Sequence, residues 1–179
     1  MSTDPQIIHN ALRALPSGLF VLTCAHEQCR SGVLTHWVQQ CSEEPPMLVV
    51  AVKKGQTIEP ILRDARSFVL NMMPQGDRRS ICRFGKSLDR TDDPFISIEF
   101  DTAVTGTPIL KNAICWFDCE LEGHLSPDAD CRLYLGRIVA AHSNATIKIK
   151  KTVATIASVP DERSTRRKAP KRVASKSKA

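Results

Sequence analysis

Residues 32–52 read Gly32-Val-Leu-Thr-His-Trp-Val-Gln-Gln-Cys-Ser-Glu-Glu-Pro-Pro-Met-Leu-Val-Val-Ala-Val52. The second half, Met47 to Val52, is an unbroken apolar run between Pro45-Pro46 and Lys53-Lys54-Gly55. That is the pattern of a short buried strand. The first half also starts as a strand. It then places a hydroxyl, an imidazole, an indole, two amides, a thiol and a second hydroxyl within positions 35–42. So many polar groups beside so much apolar surface need either water or a ligand.

The neighbouring segments extend the β pattern. Residues 19–25 form another apolar run, and 31–38 returns from it through a turn at 26–30, so a hairpin is expected. Upstream, Asp4-Pro5 supplies a cap acceptor and a first-turn proline. Ile7, Ile8, Ala11, Leu12 and Leu15 then recur at helical spacing. Downstream, the pattern predicts a short helix over 57–66, a strand over 67–72, a helical turn within 76–84 and a loop over 85–94. Phe95 to Phe100 alternates as a short strand, and 113–121 and 131–140 are longer strands joined through Ser126-Pro127-Asp128. Six or seven strands linked by hairpins, with few helical crossovers, favour an antiparallel barrel over a doubly wound sheet.

Charge divides the chain. Residues 148–179 hold 11 of the 25 Lys and Arg and only 2 of the 19 acids, a net of +9. Residues 1–147 are left at −3. From about Val159 no apolar period survives, so residues 148–179 are read as a basic tail unable to offset its ordering entropy. Such a tail attracts polyanions weakly and without sequence preference. The body, 1–147, is one domain. No apolar run reaches the ~18 residues of a membrane span, and the N-terminus lacks a basic-then-apolar leader, so a cytoplasmic location is expected. The 7 cysteines are odd in number and sparsely spaced, which suits reduced thiols. Cys115 and Cys119 would lie about 13 Å apart along a strand, too far to share one ion. Cys24, His26 and Cys29 cluster at a turn without an evident fourth ligand, so no metal is expected.

The residues of 32–57 themselves suggest one kind of ligand. Thr35 and Ser42 offer hydroxyls, Trp37 a flat face, Lys53 and Lys54 cations, and Thr57 the opening of a helix. A flat heteroaromatic ring with a phosphate tail would use all of these.

Several motifs follow in order: Leu15-Pro-Ser-Gly-Leu-Phe-Val-Leu-Thr23, Gly32-x-x-Thr35, Ser42-x-x-Pro45-Pro46, and Asp64-x-x-Ser67-Phe-Val-Leu-Asn71. Then come Phe84, Thr105-Gly-Thr-Pro-Ile-Leu110 ahead of 113–120, and Leu133-Tyr-Leu-Gly-Arg-Ile138. Together, over about 8–142, these segments resemble the flavin reductase-like family of FMN-binding split barrels. The resemblance implies a mainly β fold, a six-stranded antiparallel split barrel of Greek-key character, assembled as a homodimer. It implies FMN or FAD as cofactor, with NADH or NADPH as electron donor.

By position, Thr35, His36, Trp37 and Val38 would pass along the flavin rings. Ser42 would meet the ribityl-phosphate region. Lys53, Lys54 and Thr57 would surround the phosphate, and Phe84 would flank the site, with Asn71 a weaker candidate. The implied activity is NAD(P)H-dependent flavin reduction, with electrons passed to a partner protein or other acceptor. The alternative is a non-catalytic FMN-binding electron carrier. No catalytic side chain is assigned, because hydride transfer to a flavin needs none, and His36 is read as pocket wall. Many of the reductases carry Gly-Asp-His before the strand that resembles 133–138. Here the stretch is Asp128-Ala-Asp-Cys-Arg132, so Cys131 stands in place of histidine, which puts efficient nicotinamide use in doubt. The chain also diverges after Ala141.

Overall fold

The structure, a computed structural model, describes residues 4–86 and 93–143. The basic tail and the stretch around 147–151 lie outside them. Helix α1 (Pro5–Arg13) begins where Asp4 accepts the Gln6 N–H. The first hairpin is β1 (Phe20–His26) with β2 (Cys29–Thr35), the second β3 (Val38–Ser42) with β4 (Met47–Lys53). Helix α2 (Ile58–Ala65) leads to β5 (Ser67–Met72), and α3 (Arg78–Phe84) follows, capped by Asp77. A small ribbon, β6 (Phe100–Asp101) with β7 (Ile109–Leu110), precedes the long hairpin of β8 (Cys115–Leu125) and β9 (Cys131–Ser143).

The main sheet has seven antiparallel strands in the order β2-β1-β5-β8-β9-β4-β3. Its two edge strands are consecutive in sequence, joined only by His36 and Trp37. Laid flat, β2 and β4 would stand about 24 Å apart, five spacings of ~4.8 Å. Yet the Thr35 hydroxyl donates to the Ala51 carbonyl at 3.2 Å, and the Ala51 N–H donates to the Trp37 carbonyl at 3.0 Å. The sheet therefore curls until its ends meet at this seam, without closing its hydrogen-bonded ladder.

One core fills the curl. Leu22 and Cys24 of β1, Val50 and Val52 of β4, Phe68 of β5, Leu121 of β8 and Tyr134 of β9 meet there, with Ile58 and Leu62 of α2 over them. The opposite faces of β1 and β5 carry a second core, where Val21 packs with Met73, Phe84, Phe95, Leu110 and Ala113. Burial on both faces explains why 19–25 and 67–72 read as continuous apolar runs.

Two expectations need correction. The returning strand over 31–38 stops at Thr35, and a separate strand begins at Val38 and pairs with β4 instead of β1. The seam at Thr35 and Ala51 forces that break, and it raises the main sheet from six strands to seven. Phe95 to Phe100 is not a strand. Phe95 anchors a turn, with Ser97 at φ +64°, and only Phe100 and Asp101 pair. Arg30 holds this turn from β2, bonded to Asp93 and lying 5.8 and 5.2 Å from the Phe95 and Phe100 ring centres. The helical spacing in α1 is real, but Ile7, Ile8, Leu12 and Leu15 stay exposed.

All the cysteines are free. Cys24 and Cys119 are buried, whereas Cys29, Cys41 and Cys82 are exposed. Burial pushes both buried thiols up, and the Asp118 carboxylate adds to this for Cys119, which reaches about 12. The thiolate is the reactive form. A disulfide-exchange reagent at neutral pH should therefore label the three exposed thiols rapidly and leave Cys24 and Cys119 untouched until the protein is denatured. The same shift gives a pH dependence. Above the ordinary value of 9.0 the unfolded chain loses the Cys119 proton while the folded chain keeps it up to about 12. Stability is thus full below pH 9 and falls above it, by up to about 1.4 kcal/mol per pH unit per thiol. Cys119→Ala should flatten that slope in urea titrations.

Candidate functional site

Where the sheet's ends meet, the surface opens into a cleft of about 260 Å³. Val33 and Val52 form its apolar floor, Thr35, His36 and Trp37 one wall, and Lys53 the other. The curl puts them together: β2 ends and β4 ends on either side of the seam. Trp37 is 57% exposed, so its indole presents a free flat face. His36 Nδ1 lies 3.1 Å from the Gly18 carbonyl, which can only accept, so Nδ1 carries a proton and the ring is held against that loop. The Thr35 hydroxyl is occupied by the seam and also lies 3.4 Å from the Trp37 N–H, which it accepts. Thr35 therefore shapes the cleft more than it offers a contact.

Gln56 borders this cleft and also a second cavity of about 430 Å³, lined by Thr57, Glu59, Arg63, His124, Arg132 and Tyr134. Thr57 thus sits one residue beyond the cleft. It is the N-cap of α2, but its side chain makes no capping bond. Glu59 reaches back instead, accepting the Gly55 N–H at 2.8 Å. Its other oxygen accepts from Arg132 at 2.7 Å and from the Tyr134 hydroxyl at 2.9 Å. Desolvation pushes the Tyr134 hydroxyl above its usual range.

The remaining sequence candidates are not in the cleft. Val38 is half-buried and packs against the first core. Ser42 stands at the far end of β3, about 13 Å along the strand from Val38. The Lys54 ammonium donates to the Pro127 carbonyl at 2.7 Å. Phe84 is buried in the second core, with its ring against Gly32, where an added Cβ would lie 2.7 Å from it. The Gly32 and Phe84 motifs therefore describe one packing contact. Asn71 is fully buried and its amide is engaged: it donates to the Val21 carbonyl and Thr23 hydroxyl and accepts from the Leu110 N–H at 2.8 Å. Asn71 pins the 107–110 segment to the sheet and, with no exposed surface, offers nothing to a ligand at the surface.

Sequence reasoning passed over Gln56, Glu59, His124 and the Arg132-x-Tyr134 pair. The alternation of Arg132 and Tyr134 was the available clue, since both side chains take the same strand face. Cys131 lies opposite Lys53 in the β4–β9 ladder, at the cleft's edge. Its thiol is raised by desolvation and by Asp130, partly offset by Lys53 and Lys54. Among the described residues no group of three or more His, Cys, Asp or Glu could hold a metal ion. No helix there is long and apolar enough to cross a membrane.

The chain resembles proteins already known. It is 33% identical over 123 residues to the putative diflavin flavoprotein A 2 of Synechocystis, covering 68% of this chain but 21% of that one. This chain thus spans about a fifth of the length of the curated relatives it matches. Its fold matches the NADH:FAD oxidoreductase of Streptomyces globisporus C-1027 with a TM-score of 0.73 at 18% identity, over 82% of this chain and 88% of that one. The flavoredoxin of Methanosarcina acetivorans matches at 0.65 with 21% identity, over 71% and 68%. The sequence profile of the flavin reductase-like domain covers residues 12–154, and this chain belongs to that family.

Proposed function

We propose that the cleft between β2 and β4 binds FMN or FAD, and that the chain is an NAD(P)H-dependent flavin oxidoreductase that passes electrons to a partner protein or other acceptor. One observation carries this reading: the curl sets the free Trp37 face, an apolar floor and the Lys53 cation around one opening. An isoalloxazine ring fits between indole and valines, and Lys53 suits a phosphate. Bound flavin would supply hydride acceptance. The chain's residues bind and orient it, and the apolar floor keeps water from one side. Lys53 and Thr57 are the phosphate candidates nearest the cleft. Family membership, the diflavin relatives and the oxidoreductase neighbour support the same assignment.

The cleft is small and open for such a ligand, since pockets for ligands of this size run from about 300 Å³ upward. Exposed Trp37 and the uncovered apolar side chains of α1 support a homodimer in which a second copy completes the cover. A cytoplasmic setting and weak polyanion contact through residues 148–179 complete the proposal.

A second reading has a specific observation behind it. Cys131 offers no cation where many of the family's reductases carry histidine, which favours a carrier reduced by another protein. Anaerobic stopped-flow mixing separates the two. For the reductase, NADH or NADPH bleaches the bound flavin's visible absorption within seconds. For the carrier, neither does, while chemical reductant still bleaches it.

A further inference from the structure

A third cavity, of about 370 Å³, opens between α3, the turn at 97–99 and the end of β7. It shares no lining residue with the ring cleft or with the cavity at the start of α2. Its volume is within the range of small-ligand pockets, which begins at about 300 Å³. Phe84 and Leu110, both part of the second core, form an apolar floor with half-buried Ile98.

Charge decides the sign of the occupant. At the rim Lys111 pairs with Glu99 at 3.5 Å, and the two cancel. Asp77, the cap of α3, accepts four hydrogen bonds, from the Arg79 and Ser80 N–H groups, the Ser80 hydroxyl and the Asn112 amide. Its charge is spread over the protein's own donors. Arg79 is what remains. Its guanidinium donates to the Ser97 carbonyl at 2.8 Å and has no carboxylate partner among the described residues. That bond to a neutral acceptor holds the guanidinium at the cavity and leaves most of its N–H donors unused. An unpaired planar fork beside an apolar floor matches a carboxylate carried on an apolar body.

We propose that this cavity binds a small carboxylic acid, its carboxylate on Arg79 and its apolar body on Phe84, Ile98 and Leu110. The site goes beyond the flavin reading and does not depend on it. Glu99, 83% exposed, is the group that such a ligand works against, because it already occupies Lys111.

The probe is phenylacetate, titrated into the isotopically labelled full chain at neutral pH and constant ionic strength while amide NMR shifts are followed. A body of about ten heavy atoms at ordinary ligand efficiency gives low-millimolar affinity. Saturable shifts should centre on Arg79, Ile98, Lys111 and Asn112. Acetate, which lacks the body, and phenethylamine, which reverses the charge, should each bind at least about tenfold more weakly. Arg79→Gln should weaken phenylacetate about tenfold or more, the loss of a charge-assisted contact. Arg79 also holds the Ser97 turn, so Glu99→Gln is the second variant. It breaks only an exposed ion pair, frees Lys111 and should tighten binding about threefold, the worth of such a pair.

The proposal fails if phenylacetate causes no shifts at about 50 mM, weaker than any useful affinity. It fails if the shifts centre on Thr35, Trp37 and Lys53 or are abolished by saturating FMN, and if acetate or phenethylamine binds as well as phenylacetate. Glu99→Gln binding no more tightly than the parent would overturn it, as would a folded Arg79→Gln that binds like the parent. Phenylacetate binding here in a chain that binds no FMN would overturn the flavin reading and leave this one standing.

Discussion

Gly136→Val should cost at least about 3 kcal/mol of stability, at or beyond the top of the range for overpacked cores, and leave little folded protein. Gly136 is buried in β9, paired with Leu48 on one side and Leu121 on the other. A Cβ there would lie 2.3 and 2.7 Å from the Phe68 ring and 2.9 Å from the Cys119 Cβ. Phe68 is fully buried at the centre of the first core, so neither partner can give way. Gly123 is the control. It lies in the same hairpin, and a Cβ there would meet nothing within 4 Å, so Gly123→Ala should leave the urea midpoint unchanged or slightly raised. A midpoint for Gly136→Val near that of the parent would mean the curl is looser than described.

Lys53→Glu should weaken FMN binding by about 100-fold or more, since a charge-assisted bond worth ~1.5–3 kcal/mol is replaced by repulsion. The residue is exposed at the end of β4, and its backbone pairing with Cys131 does not depend on the side chain, so the fold should be unaffected. Riboflavin, which shares the rings and lacks the phosphate, should bind parent and variant alike. Fluorescence titration with both flavins checks this. Equal losses for the two would place Lys53 against the rings instead of the phosphate.

Much of the fold could be read from local pattern. The first hairpin, β4, α2, β5, α3 and the β8–β9 hairpin follow from apolar runs, turn residues and caps, which depend on near neighbours. The break at His36-Trp37 does not. It exists because Thr35 and Ala51 meet across the seam, sixteen positions apart in the chain and five strand spacings apart in an uncurled sheet. The alternation at Phe95–Phe100 misled for a similar reason: Arg30, from another strand, turns those aromatic side chains into anchors for a turn.

The site was partly legible. Thr35, His36, Trp37 and Lys53 share a cleft, as the polar half-strand suggested. Asn71 and Phe84 lie in family motifs, but a motif cannot tell a ligand contact from a packing contact. Buried hydrogen bonds and ring contacts can. The Glu59, Arg132 and Tyr134 network joins residues more than seventy positions apart and has no local signature.

The central claim is that a flavin sits against Trp37 in the cleft between β2 and β4. Titrating FMN into the purified chain while following tryptophan emission tests it most directly. The account predicts saturable quenching of protein emission together with quenching of the flavin's own fluorescence. In Trp37→Phe the flavin signal should persist with weaker affinity, while most of the protein quenching disappears. If neither emission changes with FMN or FAD at saturating concentrations, or if the quenching is unaltered in Trp37→Phe, the cleft is not the flavin site.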